Sequence, residues 1–244
     1  MILEDLVPEG ANVRDKTVRD WETLNAEVVS CRRCPRLVAW REKVAREKRR
    51  AYLEWDYWGK PVPGFGDREA RLLVLGLAPA AHGANRTGRM FTGDSSGRTL
   101  LPAMYRTGFA NQPTTVHRND GLELHDAYLT AVARCAPPGN RPTAEELANC
   151  RHFMEQEFQL LGQTRVVLAL GRVAFDGYLR MLREGGKISS RLTFEHGASF
   201  SFDSPLPTLI ACYHPSRQNT QTGRLTDEML DQVFARTRHL LDRG

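Results

Sequence analysis

Four short runs of apolar residues punctuate this chain: Arg71–Leu77 (RLLVLGL), Ala127–Ala133, Val166–Leu170 and Leu209–Tyr213. Their continuous apolar character predicts strands buried on both faces. Around them, apolar positions recur at helical spacing. Helices are expected over Gly97–Gly108, which contains Leu100, Leu101 and Met104, over Gly171–Leu182 and over Thr226–Leu241. Thr143 and Glu146 have the spacing of a capping box and open a further helix, the one that carries Cys150. Upstream, Val18–Val29 puts Leu24 and Val28 on one face, and Arg36–Tyr52 has the apolar stripe Leu37, Trp40 and Val44. The aromatic stretch Trp55–Asp67 is rich in Pro and Gly and is expected to be a loop packed over the domain. Residues 1–15 read as an irregular lead-in, and residues 16–244 as one domain.

Strands alternating with helices predict a parallel sheet covered on both faces. Ligands of such sheets sit outside the C-terminal ends of the strands, so the informative loops follow Leu77, Ala133, Leu170 and Tyr213. Gly76–Gly97 (GLAPAAHGANRTGRMFTGDSSG) is rich in small residues that let backbone approach a ligand, but it lacks the lysine and hydroxyl of a P-loop. In Arg134–Thr143 (RCAPPGNRPT), Pro137, Pro138 and Gly139 force a turn that exposes Asn140. Tyr213–Thr226 puts His214 at a strand end, and Arg217, Gln218 and Asn219 follow as polar residues suited to phosphate contact.

Composition narrows the class. The chain has 244 residues, 41% hydrophobic and 26% charged, as in ordinary globular proteins. No apolar run is long enough for a bilayer. The start, MILEDLVPEG, does not have the composition of a secretory signal. The expected location is the cytoplasm, where thiols stay reduced and cysteines serve metals or catalysis. The net charge is +5. It is concentrated: from Arg32 to Arg50 there are nine basic residues and two acidic ones, a density that can neutralise phosphates.

The cysteines carry the most specific signal. Cys31 and Cys34 form a C-x-x-C pair, and Cys135 and Cys150 follow far downstream. A local pair plus distant ligands is a common metal-site design, and this spacing fits structural zinc as well as an iron–sulfur cluster. Cys212, inside the last apolar run, reads as a core residue.

The loops and the cysteines together resemble the uracil-DNA glycosylase superfamily. GLAPA at Gly76 is similar to its first active-site motif, HPS at His214 to its second, and the four cysteines to its iron–sulfur branches. Within those branches the Gly76–Gly97 and His214–Leu225 stretches look like family 5, the type-b enzymes. The similarity runs from about Cys31 to Leu225. It implies an α/β fold, a three-layer α/β/α sandwich around a central four-stranded parallel sheet. It also implies a [4Fe–4S] cluster on Cys31, Cys34, Cys135 and Cys150, a structural role for that cluster, and DNA as the partner of a monomer. Where related families carry Asn or Asp in the first motif, this chain reads Leu77-Ala78-Pro79-Ala80.

The implied activity is base excision: flipping uracil or a related modified base out of DNA and hydrolysing its N-glycosidic bond. On that reading His214 donates to the departing base, Asp94 positions water or stabilises the cationic sugar, and Asn140 orients water or contacts the base. Phe91 stacks on the base, and Gly76, Ala78, Pro79 and Ala80 line its pocket. Arg217, Gln218 and Asn219 contact DNA, and Arg217–Leu225 enters or flanks the gap left by flipping. His82 and Asn85 are expected to brace the loop. Asp94 also has the position of an N-cap for the helix at Gly97. Two other readings are a non-catalytic protein that binds damaged or single-stranded DNA and a zinc-bound scaffold.

Overall fold

The computed structural model describes residues 20–243. The lead-in expected over residues 1–15 and the first turn expected at Val18 lie outside the described residues. The four apolar runs form four strands: β2 (Leu72–Gly76), β3 (Ala127–Ala131), β4 (Val166–Leu170) and β6 (Thr208–Cys212). They pair in parallel in the order β3-β2-β4-β6. Two-residue strands β1 (Phe65–Gly66) and β5 (Ser199–Phe200) add antiparallel edges, so the sheet has six strands rather than four. These edges carry no apolar run of their own; the partner strand's free edge defines them, which is why sequence pattern alone gave only a loop over Trp55–Asp67.

Alternation along each strand sorts the core into two layers. Leu72, Val74, Leu129, Leu168 and Ile210 face one side, with α4 (Ser95–Arg106) and α8 (Asp227–Asp242) packed over them. Leu73, Leu75, Val167, Ala169 and Leu209 face the other side, under α5 (Ala144–Leu160) and α6 (Arg172–Glu184). This is the expected three-layer sandwich. Helix starts follow local capping chemistry. Asp94 accepts from Gly97 N, and Thr143 and Glu146 form the capping box of α5. Thr226 caps α8.

The N-terminal helices form a small satellite. Leu24 and Val28 of α1 (Trp21–Ser30) bury against Phe153 of α5. The second helix, α2, runs Pro35–Glu47 and stops short of the expected Tyr52. Its apolar stripe ends at Val44, and the basic run that follows gives a helix nothing to bury. Lys48 turns left-handed (φ 54°) and a 3₁₀ turn covers Arg50–Tyr52. Two further short helices, α3 (Ala84–Thr87) and α7 (Arg217–Gln221), lie in segments read from sequence as loops.

One buried ion pair ties β3 to α5. Arg134 and Glu157 are each 1% exposed and bonded to one another, and both bond Thr130 Oγ1. Glu157→Ala would leave the Arg134 guanidinium uncompensated in the core, which costs about 3–5 kcal/mol. Urea unfolding should show that loss with an unchanged m-value. A loss below about 1 kcal/mol would mean that water reaches Arg134.

Candidate active site

Three parallel strands end at one edge of the sheet, and their loops enclose a cleft of about 520 Å³. After β2 come Leu77, Ala78, Pro79 and Ala80. After β3 come Gly139, Asn140 and Arg141, and after β6 come His214, Ser216, Arg217 and Gln218. Phe91, Asp94, Ser95 and Ser96 close a further side. The cleft therefore gathers most of the residues singled out in the sequence. The wall after β2 is apolar, as its sequence requires. The polar groups of the side walls face that apolar wall.

Phe91 has a left-handed backbone (φ 51°), a strained state for a bulky residue that costs about 1–3 kcal/mol. Two glycines make room for it. A Cβ on Gly76 would lie 2.6 Å from the Phe91 ring, and one on Gly97 would lie 2.0 Å from the Phe91 carbonyl oxygen. Gly76 thus sits beneath the ring instead of lining the cleft. The Phe91 and His214 rings stand 6.5 Å apart, tilted by 31°.

Asp94 caps α4, its Oδ1 accepting from Gly97 N at 2.9 Å, and it also lines the cleft. Burial raises its pKa above the ordinary value. Burial also lowers the His214 imidazole to about 4, so it is neutral at pH 7. Among the described residues no hydrogen bond reaches the His214 ring. Asn140 is exposed at the mouth, left-handed (φ 57°) at the end of a 3₁₀ turn. Arg217 and Gln218 are exposed on α7. Asn219 does not line the cleft; its amide donates to the His214 carbonyl at 2.8 Å. Leu225 is 2% exposed within the core, and the exposed residues before it, Gln221–Arg224, include no apolar side chain that could wedge between bases.

The loop between Ala80 and Asp94 is braced from outside. Asn85 is fully buried and donates to Ala81 O and Arg41 O, and His82 Nδ1 pairs with Tyr57 OH at 3.0 Å. Arg86 lies between the Tyr52 and Trp55 rings at 4.0 and 3.9 Å and donates to His82 O and Gly93 O. The aromatic loop packs over the domain through this contact.

Cys31, Cys34, Cys135 and Cys150 line one small cavity between α2, α5 and the loop after β3, and none forms a disulfide. Burial raises Cys135 to about 11 and Cys150 to about 12, so these thiols need a bound cation to ionise. Protein N–H groups already point at the sulfurs. Arg41 donates to Cys135 Sγ at 2.9 Å, Arg134 N to Cys150 Sγ at 3.2 Å and Asn149 to Cys34 Sγ at 3.8 Å. Cys34 is the N-cap of α2, but its sulfur accepts no bond from the helix's own first turn. Among the described residues, no three His, Cys, Asp or Glu side chains converge as a single metal ion requires.

The sequence reading missed Arg41, Met90, Ser95 and Ser96. Arg41 had a legible signal, because it falls on the stripe of Leu37 and Val44 and is 2% exposed. Ser95 and Ser96 follow the N-cap and so had to lie at the helix mouth. Met90 carried no signal. The basic segment is partly used within the fold: Arg32 pairs with Glu42 and Arg36 with Glu146. Arg46, Arg49 and Arg50 are exposed. Arg49 lies near enough to His82 to lower its pKa by charge, after burial, so the basic face reaches the edge of the active-site loop.

The sequence also matches known proteins. The family model of the uracil DNA glycosylase superfamily matches residues 63–238. A type-5 uracil-DNA glycosylase of Thermus thermophilus is 50% identical over 224 residues, 91% of this chain and 98% of the relative. The type-5 enzyme of Mycobacterium tuberculosis is 49% identical over 218 residues, 89% of this chain and 80% of the relative. That of Pyrobaculum aerophilum is 44% identical over 224 residues, 91% and 95% of the two chains. Fold, match length and identity lead to one conclusion: this chain belongs to the uracil-DNA glycosylase superfamily, in its type-5 group.

Proposed function

We propose that this protein excises uracil and related modified bases from DNA, leaving an abasic site. The observation that carries this reading is the cleft itself: a neutral imidazole and a half-buried carboxyl facing one apolar space at the sheet's C-terminal edge. In the proposed reaction the flipped base stacks on Phe91 against Ala78, Pro79 and Ala80. The bond between C1′ and the base nitrogen breaks, and its electron pair leaves with the base. His214 donates an N–H to the base oxygen where negative charge collects. Asp94 faces the cationic sugar and takes the proton of the water that adds to C1′. Its raised pKa makes it a better acceptor for that proton. Asn140 at the mouth orients the water.

The apolar wall supplies few hydrogen bonds by which one base is told from another, so discrimination is weak. Arg217, Gln218 and the exposed arginines at the end of α2 hold the DNA backbone. The four cysteines would hold a [4Fe–4S] cluster, which when bound supplies the metal–thiolate bonds that join α2 to α5 and the loop after β3. The chain would act as a single-domain monomer in the cytoplasm; among the described residues no helix is long and apolar enough to cross a membrane.

Incubation with uracil-containing duplex, followed by alkali, should break the strand at uracil. Duplexes carrying hypoxanthine, ethenocytosine or hydroxymethyluracil should also be cut. Binding to these duplexes with no alkali-labile sites would instead favour a non-catalytic DNA-binding protein.

A further inference from the structure

We propose that Asn219 is a positioning residue for His214 and not a DNA contact; this rests on His214 acting in the cleft as proposed above. The His214 carbonyl oxygen accepts two hydrogen bonds, from Ser216 N at 2.7 Å and from the Asn219 amide at 2.8 Å. A carbonyl oxygen has two lone pairs, and both are used. Between His214 and Ser216 stands Pro215, buried and with its φ fixed by the ring.

Asn219 is itself held on both sides. Its N–H donates to Ser216 Oγ at 3.3 Å, and its carbonyl accepts from Leu225 N at 3.1 Å. Leu225 lies in the core beneath α8. A chain of bonds thus runs from the core, through Asn219, to the backbone of His214. The other side of His214 is walled by Gly171, where a Cβ would come within 3.1 Å of the His214 Cβ.

The arrangement matters because no hydrogen bond reaches the imidazole among the described residues. Only its backbone and its apolar neighbours aim the ring. Removing the Asn219 bond frees the His214–Ser216 turn and lets the ring nitrogen drift from the base oxygen. A displacement of about 1 Å is enough to cost about 100-fold in rate. Arg217 and Gln218, the two residues before it, are exposed and line the cleft, whereas the amide of Asn219 is already committed.

Single-turnover kinetics on uracil duplex test the assignment. Asn219→Ala should lower the rate at saturating enzyme by about 10- to 100-fold. Its Kd for an abasic-analogue duplex, and the salt dependence of that Kd, should match wild type. Arg217→Ala provides the comparison for a phosphate contact, with weaker binding and a salt slope shallower by about 1. If Asn219→Ala behaves like Arg217→Ala and keeps the wild-type saturated rate, the proposal is wrong. Asn219→Gln keeps an amide able to reach phosphate but shifts it by one methylene; it should lose rate as Asn219→Ala does, and wild-type rates in Asn219→Gln would also overturn the proposal. A wild-type protein that cuts no base would refute the proposed activity separately. In that case the NMR titration of His214 still reports on Asn219, because Asn219→Ala should move its midpoint from about 4 toward 6.5. An unmoved midpoint would count against the positioning role.

Discussion

Alanine in place of His214 should lower the rate of uracil release by about 10²–10³-fold, the usual cost of removing one donor to a developing anion. Affinity for an abasic-analogue duplex should stay within a few fold of wild type, because the basic face and α7 remain. The argument rests on where the imidazole sits. It faces the cleft 6.5 Å from the Phe91 ring, and burial holds it neutral with a pKa of about 4. A neutral N–H can donate to a departing base without neutralising the Asp94 carboxylate across the same cleft. Strand breakage equal to wild type in His214→Ala would remove the residue from the chemistry.

The same imidazole makes a stability prediction. Its pKa is depressed in the folded state relative to the ordinary 6.5. The unfolded state therefore binds the proton more tightly, and the stability at issue is present above pH 6.5 and lost as pH falls toward 4. The loss across that window is roughly 3 kcal/mol. Urea melts at pH 7 and pH 4 should show wild type losing that much more than His214→Ala. Equal losses would place the ring in solvent.

The second large effect is expected at the sulfur site. Cys150→Ser should give protein without the brown ~400 nm absorbance of an iron–sulfur cluster, with a lower melting temperature and weakened DNA binding. The apolar contact of α1 with α5 is small: Leu24, Val28 and Phe153 are its buried members. A structural metal site contributes on the order of 10 kcal/mol of folding free energy, far more than this patch supplies. Burial also raises Cys135 and Cys150 to about 11 and about 12, so without metal charge the thiols stay protonated, and the buried Arg41, whose carboxylate partner Glu42 lies 3.9 Å away, donates to a neutral sulfur. Arg41 O accepts from Asn85 in the active-site loop, so loss of the proposed cluster should also loosen that loop. Faster hydrogen exchange over Ala80–Asp94 in Cys150→Ser would report this. A colourless wild-type protein whose melting temperature is untouched by the substitution would dismiss the cluster.

Much of this architecture was legible in the chain. The runs at Leu72, Ala127, Val166 and Leu209 are apolar because both faces of a central parallel strand are covered, so burial writes itself directly into composition. The caps at Asp94 and Thr143 were legible because their hydrogen bonds span only three residues. What sequence left out is equally physical. The strands β1 and β5 are two residues long and take their shape from a neighbour's edge. The helix α2 ends at Glu47 because its stripe ends at Val44, although its charged residues could have continued it. Arg217–Leu225 reads as a stretch that enters or flanks the gap left by flipping, but the packing around α8 buries its last residue, Leu225.

The sequence by itself determined the layers, the loops at the C-terminal strand ends and the Cys31–Cys34 pair, because these follow from local spacing and burial. Only the tertiary structure decided which partner each polar side chain took. Arg41 reaches Cys135 across 94 residues, and Arg36 reaches Glu146 across 110. Asn219 turns inward to His214 while its neighbours on α7 face out. Such choices depend on distant backbone arriving at hydrogen-bonding distance and on the loss of water around it, and no local pattern along a chain encodes either.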